Sequence, residues 1–311
     1  MAGLNILIAF FASIVVVCEI VRQISKKFLP TRLYNNFARE LVCSLQLCAC
    51  CLELRMLVEI GPWGGGFGAD VVMTLLFLLF LVHGASFDGA SANSAVSLQE
   101  FLLLESSFMA TTGKLLAQII GMEIAKLLTN YYWSWELTDF HLIQNLMAQS
   151  CSSSIQISLS HGIFVEGLCA LFFHLALQHL QHSRSMYRVP ALALTVTILV
   201  NTAGPYTGAF FNPTLAYSLI FHCSGNTLQE YILVYWMGPL TGMILALFLY
   251  QGNIPRLFER NLIYCQKSKY RTPKGKTVQV PRVKQDAPAP TNLPKKPSIK
   301  GKVEANQKRA N

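Results

Sequence analysis

Charged side chains are scarce in this sequence. Asp, Glu, Lys and Arg make up 13% of its 311 residues, against roughly 25% in soluble domains. Catalytic signatures are missing too: there is no HExxH, no nucleophile elbow and no paired-carboxylate spacing. His83, His161, His174, His179 and His182 and the serine run at 152–154 therefore lack the partners an enzyme needs. His174 and His182 stand eight residues apart on one helix face and read as packing or interface groups. The nine cysteines include no C-x-x-C with a distant matching pair, and an odd count closes no disulfide framework. Cys43, Cys48, Cys50 and Cys51 fall in one apolar segment, where a thiol behaves as a small hydrophobe. Neither metal nor cofactor is expected. The glycine run "GPWGGGFG" at 61–68 has no Lys-Ser/Thr after it, so it reads as a connection and not a phosphate cradle. No glycosylation sequon with a permitted middle residue occurs, which says nothing about compartment.

What fills the space is hydrocarbon, with 52% of residues hydrophobic. Seven apolar segments centre on Ile14, Leu47, Phe77, Ile120, Phe172, Thr195 and Ile244. Crossing about 30 Å of lipid takes about 20 such residues. "VVMTLLFLLFLVHG" and "YILVYWMGPLTGMILALFLY" are too long for buried parallel strands, which excludes a soluble α/β protein. The formal charge of +9 is unevenly spread. Arg256 to Asn311 hold fifteen Lys/Arg and three Asp/Glu, a local +12, and the rest sums to −3. This Pro-rich tail, 253–311, cannot bury enough surface to order itself. Beside a membrane, it faces anionic cytosolic lipid more readily than nucleic acid. The opening Leu4–Ile20 resembles a leader without its basic start. Arg22, Lys26, Lys27, Arg32 and Arg39 come after it, so residues 1–34 read as an anchor with Met1 outside and a basic cytosolic loop. Alternation then puts Arg184, Arg188 and the tail in the cytosol, and the Trp/Tyr-led loop 131–160 in the lumen.

Two stretches break the apolar pattern in the same way. Gly89-Ala90 leads to Asn93, and Gly208-Ala209 leads to Asn212, 119 residues on. Each precedes an apolar stretch too short to span, Ala95–Leu104 and Leu215–Phe221. Units inserted in opposite senses form an inverted repeat, here about 35–130 and 160–252. Asn is a favoured N-cap, and Pro213 suits the first helical position. Capping turns each amide NH2 away from its helix, towards the gap between the two caps. The half-helix N-termini each carry roughly half a positive charge. Facing each other at mid-membrane they repel cations and offer donors to a passing neutral molecule. Gly89 and Gly208 permit the tight backbone of a re-entrant loop. No acidic ring accompanies them, which disfavours an ion channel.

This layout resembles the aquaporin family, whose two Asn-Pro-Ala boxes sit at these places. The resemblance covers about residues 35–252. It is strongest to the unorthodox superaquaporin branch, through "HGxxxDGASANxxVSLQEFL", "CSSS", "YWMGPLTGM" and the opening "MAGLN". It implies an all-α bundle of six transmembrane helices in two inverted repeats, with two re-entrant half-helices and an extra N-terminal hydrophobic helix. It further implies a homotetramer with one pore per protomer, in intracellular membranes. Glu40 and Glu166 resemble the family's buried glutamates, which accept from loop backbone. Cys223, eleven residues after Asn212, falls where that branch carries a characteristic cysteine; by itself it reads equally as a buried thiol.

The boxes depart from the family pattern. The first reads Asn93-Ser94-Ala95, which frees an N–H where Pro has none. The second reads Asn212-Pro213-Thr214, whose added hydroxyl either packs behind the cap or intrudes on the pore. Leu215 takes the place of the family's filter Arg, and Ala216 that of the Asp in glycerol channels. A gapless count puts Val200 where water-selective members have His, and Met73 where they have an aromatic. Such a neck is apolar and prone to dewetting. Two functions stay open: a passive channel for water, glycerol or hydrogen peroxide, and a poorly conducting membrane scaffold of the same fold.

Overall fold

The computed structural model describes residues 2–29, 32–60, 68–147, 152–221, 223–252 and 254–258. The expected connection at 61–67 and the tail beyond 258 lie outside these residues. Apolar runs bounded by polar caps and turns give helices throughout. They are α1 (Ala2–Phe28), α2 (Arg32–Ile60), α3 (Ala69–Ser86), α4 (Ser94–Leu102), α5 (Phe108–Trp133), α6 (Asp139–Met147), α7 (Leu159–His179), α8 (Ser185–Thr207) and α9 (Pro213–Ile220). After α10 (Leu228–Ile232) a π-helical turn, Leu233–Met237, leads into α11 (Gly238–Gln251), and α12 (Pro255–Phe258) follows. Among the described residues β-structure is limited to one isolated bridge, Ser152 with Ser224. The chain is an all-helical membrane bundle.

Among the described residues, six helices are long and apolar enough to cross a bilayer: Gly3–Phe28, Leu33–Ile60, Ala69–Ser86, Leu159–His179, Ser185–Thr207 and Leu228–Gln251. The seventh apolar segment is α5, whose 26 residues span about 39 Å at 1.5 Å each. It is more polar, carrying Lys114, Glu123 and Lys126. By contrast α4 and α9 have 9 and 8 residues. They reach about 12–14 Å, less than half the hydrocarbon thickness.

Helices two to five and seven to eleven repeat one plan. In each half the first helix packs most extensively on the last, α2 on α5 and α7 on α11. The same device brings each pair together. A Cβ on Gly121 of α5 would lie 2.2 Å from the Leu41 carbonyl oxygen, and one on Gly242 of α11 would lie 2.1 Å from that of Gly167. Only glycine lets the backbones approach so closely. Pro239 cannot donate to a carbonyl one turn back, and the π turn just before it absorbs the misfit. The helix α1 lies outside this plan against α2. Phe10 stacks on Tyr132 at 4.2 Å, and buried Arg22 donates to Gln46 Oε1 at 3.0 Å.

Two features differ from expectation. The 131–160 connection contains α6, held to the bundle by the buried Glu53 of α2. That carboxylate accepts from Trp133 Nε1 at 2.5 Å and pairs with His141 Nε2 at 3.1 Å. Helix α7 stops at His179 with Leu180 as its C-cap, so His174 and His182 share no helix face. His174 is buried and bonded to Gln99 Oε1.

Candidate functional site

The short helices begin with the same cap. Asn93 and Asn212 both hold extended backbone, with φ of −143° and −134°. The Asn93 side-chain oxygen accepts from Ala95 N at 2.9 Å, and that of Asn212 from Leu215 N at 3.3 Å. Pro213 fills the first helical position of α9. Each loop turns through left-handed residues at matching places: Gly89 and Ala92 at φ 82° and 48°, Gly208 and Phe211 at 87° and 35°. Glycine takes this backbone freely, but Ala92 and Phe211 are strained by about 1–3 kcal/mol each.

The buried glutamates hold those strained residues. Glu40 on α2 accepts from Ser91 N at 3.0 Å and Ala92 N at 3.1 Å. Glu166 on α7 accepts from Phe210 N at 3.2 Å and Phe211 N at 2.7 Å. Two backbone hydrogen bonds to each carboxyl group, made away from competing water, offset the backbone cost. The surroundings differ. Glu40 also meets Gln118 Nε2 at 3.2 Å and Lys114 Nζ at 3.9 Å. Glu166 has the Thr207 hydroxyl at 2.7 Å.

The two loops meet. One N–H of the Asn212 amide donates to the Ala92 carbonyl at 2.8 Å, so only part of that NH2 group is left for the gap. The Asn93 amide NH2 has no protein acceptor among the described residues and lines the cavity. Ser94 N donates to Thr214 Oγ1 at 3.2 Å, and that hydroxyl also lies 3.1 Å from Asn212 Oδ1. Thr214 is therefore packed behind the cap. Ser94, Ala95 and Pro213 are buried beside it and lie off the cavity wall.

A cavity of about 540 Å³ runs past both asparagines. Met73, Val200 and Leu215 share its wall, as does Gly208, while Gly89 is an exposed residue of the first loop and the buried Glu40 and Glu166 lie off the wall. Ser152, Ser153 and Ser154 also line it. Cys223 is disulfide-bonded, with its partner cysteine outside the described residues, so the buried-thiol reading does not hold. At the opposite loop, Asp88 pairs with Lys26 of α1 at 2.8 Å and Arg39 at 3.8 Å. The hydrogen bond from Lys26 holds its carboxyl below the usual range.

Opposed half-helices capped by two asparagines beside one cavity match the comparison with known families, in which residues 67–250 fit "Major intrinsic protein". The chain belongs to the aquaporin family. Members of this family are membrane channels and not enzymes. The chain is 59% identical over 276 residues to "Aquaporin-12" of Mus musculus, covering 89% of this chain and 95% of that protein. It is 31% identical over 251 residues to "Aquaporin-11" of Homo sapiens, covering 81% and 90%. The aquaporin fold is also that of the aquaglyceroporin from Plasmodium falciparum. That structure superimposes with a TM-score of 0.54 at 18% identity, covering 72% of this chain and 99% of that one.

Sequence reasoning missed two polar side chains of this aquaporin. Gln118, on α5, donates to Ser91 Oγ at 3.2 Å and to Ser97 Oγ at 2.9 Å, tying loop to half-helix, and also reaches Glu40. Arg55 lines the cavity from α2. Its signal was an Arg within an apolar span with Glu59 four residues on, and an ionisable group in a span is a functional candidate by default.

Proposed function

We propose that the chain is a passive transmembrane channel for water and small neutral solutes, glycerol and hydrogen peroxide among them. The observation that carries this reading is the cavity lined by both caps, Asn93 and Asn212, at the N-termini of opposed half-helices. Their amide N–H groups and partial positive charges give a neutral molecule donors while repelling cations and protons. Glu40 and Glu166 fix the loops, Gly89 and Gly208 supply their turns, and Pro213, Ser94, Ala95 and Thr214 seat the caps. Met73, Val200 and Leu215 form an apolar neck that tunes which solute passes.

The channel domain comprises residues 35–252, with α1 as an anchor and the basic tail in the cytosol. On this orientation α2 runs from cytosol to lumen and α9 enters from the lumenal side. A homotetramer in an intracellular membrane, the endoplasmic reticulum or vesicles, follows from the family resemblance. The apolar neck favours a second reading, a poorly conducting scaffold that keeps the fold.

Stopped-flow swelling and shrinkage of proteoliposomes separates the two. The channel reading expects water, glycerol or peroxide rates above protein-free vesicles, abolished by Asn212→Ala in protein that still folds. Rates equal to lipid for all three solutes favour the scaffold, and flux untouched by Asn212→Ala contradicts the pore.

A further inference from the structure

We propose that Arg55 is the selectivity-determining cation of this channel's lumenal neck, set in strength by Glu59; the inference rests on the channel reading above. Leu215 brings no charge to the neck. Among the described residues on the cavity wall, Arg55 and Glu59 are the charged ones, and both come from the last two turns of α2.

Arg55 is held in place from two sides. Its Nη1 donates to the Leu219 carbonyl at 2.5 Å. Leu219 stands one turn beyond Leu215 on α9, about 6 Å along the axis. The guanidinium therefore sits against the last turn of the half-helix, one turn from Leu215. Its Nε donates to Glu59 Oε1 at 2.6 Å, and its Nη2 lies 2.6 Å from the same oxygen. The side chain is 14% exposed against 40% for Glu59. The cation is fixed in the wall, and its carboxylate leans to the wetter side.

The arrangement has a sign that a packing role lacks. Arg takes an always-charged, planar group into a partly buried site. On a mostly apolar cavity wall its field is weakly screened, and a cleft lined by charge of one sign changes local ion concentration by roughly tenfold or more. Glu59 compensates part of that field. Deleting the Arg leaves a bare carboxylate in the neck, attractive to cations. Neutralising Glu59 leaves an uncompensated guanidinium, repulsive to cations and attractive to anions.

The test is ion and solute flux in proteoliposomes of the full chain: wild type, Arg55→Leu, Arg55→Lys, Glu59→Gln. Potassium and chloride leaks are measured beside water and peroxide. The expected result is a potassium leak raised about tenfold in Arg55→Leu, restored to near wild type in Arg55→Lys, and a chloride leak raised in Glu59→Gln without a potassium leak. If Arg55→Leu does not fold, the Lys and Gln variants decide, since both keep a donor or acceptor at the pair. A conducting wild type whose ion leaks move in neither Glu59→Gln nor any folded Arg55 variant overturns the role of Arg55 alone. A wild type that passes no water, glycerol or peroxide overturns this inference together with the channel reading.

Discussion

The two re-entrant loops share one plan and solve it with different residues. In the second, Pro213 starts the half-helix, needs no acceptor, and has its φ preset. In the first, Ser94 occupies that position and its freed N–H must be satisfied in a buried site. The acceptor is Thr214 Oγ1, from the opposite loop. The two departures from the Asn-Pro-Ala pattern thus compensate each other: a donor exposed by losing Pro meets a hydroxyl gained by replacing Ala. The difference teaches that the loops are not independent copies. Ala92 O and Asn212 Nδ2 complete the link in the other direction, so the midplane is one hydrogen-bonded unit.

The carboxylate anchors give the largest handle on this comparison. Glu166→Ala leaves Phe210 N–H, Phe211 N–H and the Thr207 hydroxyl without their acceptor. It should cost about 3 kcal/mol or more, read as a lowered melting temperature in detergent. Glu40→Ala should cost less, because the neighbouring Gln118 amide can turn its oxygen to accept from the freed Ser91 and Ala92 N–H groups; equal losses would erase the proposed asymmetry.

Next in size is the cross-loop pair. Thr214→Ala should destabilise by about 1–2 kcal/mol by orphaning Ser94 N–H. Adding Ser94→Pro to it should recover about 1 kcal/mol, since Pro has no donor to satisfy. A double-mutant cycle measures the coupling, and strict additivity would break the compensation argument.

The smallest effect concerns Asp88, which has no charged counterpart in the second loop, where Thr207 stands at the equivalent position. Its carboxyl pKa is lowered on folding by Lys26 and Arg39. Its contribution is therefore complete above the unfolded value near 3.8 and is lost as pH falls through the lower folded value. Asp88 is 46% exposed, so the loss is only a few tenths of a kcal/mol. Asp88→Asn should flatten the acid limb of thermal stability below about pH 4 and change nothing at pH 7 beyond that amount.

Much of this architecture was readable because its causes are local. Apolar length marks the spans, and Asn followed by a short apolar run marks a capped half-helix. The matching Gly-Ala-x-x-Asn units announce two loops of one kind. The structure places Glu40 and Glu166 under those loops and Met73, Val200 and Leu215 on one wall. What was not readable depends on rotation and distance. Whether Thr214 faced the pore or the packing turned on its rotamer against a residue 120 positions away. The inward face of Arg55 is set by the rotational register of α2, which α1, α5, α6 and α9 all pin. Helix α6 is held through its own His141 by Glu53 of α2, a carboxylate that also accepts from Trp133, and neither partner lies within its nine residues.

The central claim is that two asparagine caps converge on one solute path. A high-resolution structure of the full chain in a lipid bilayer, with ordered solvent resolved, tests it most directly. The account predicts a single file of water through the cavity, with one molecule within hydrogen-bond distance of both Asn93 Nδ2 and Asn212 Nδ2. A dry or lipid-filled cavity, or asparagines too far apart to share a water, would contradict it.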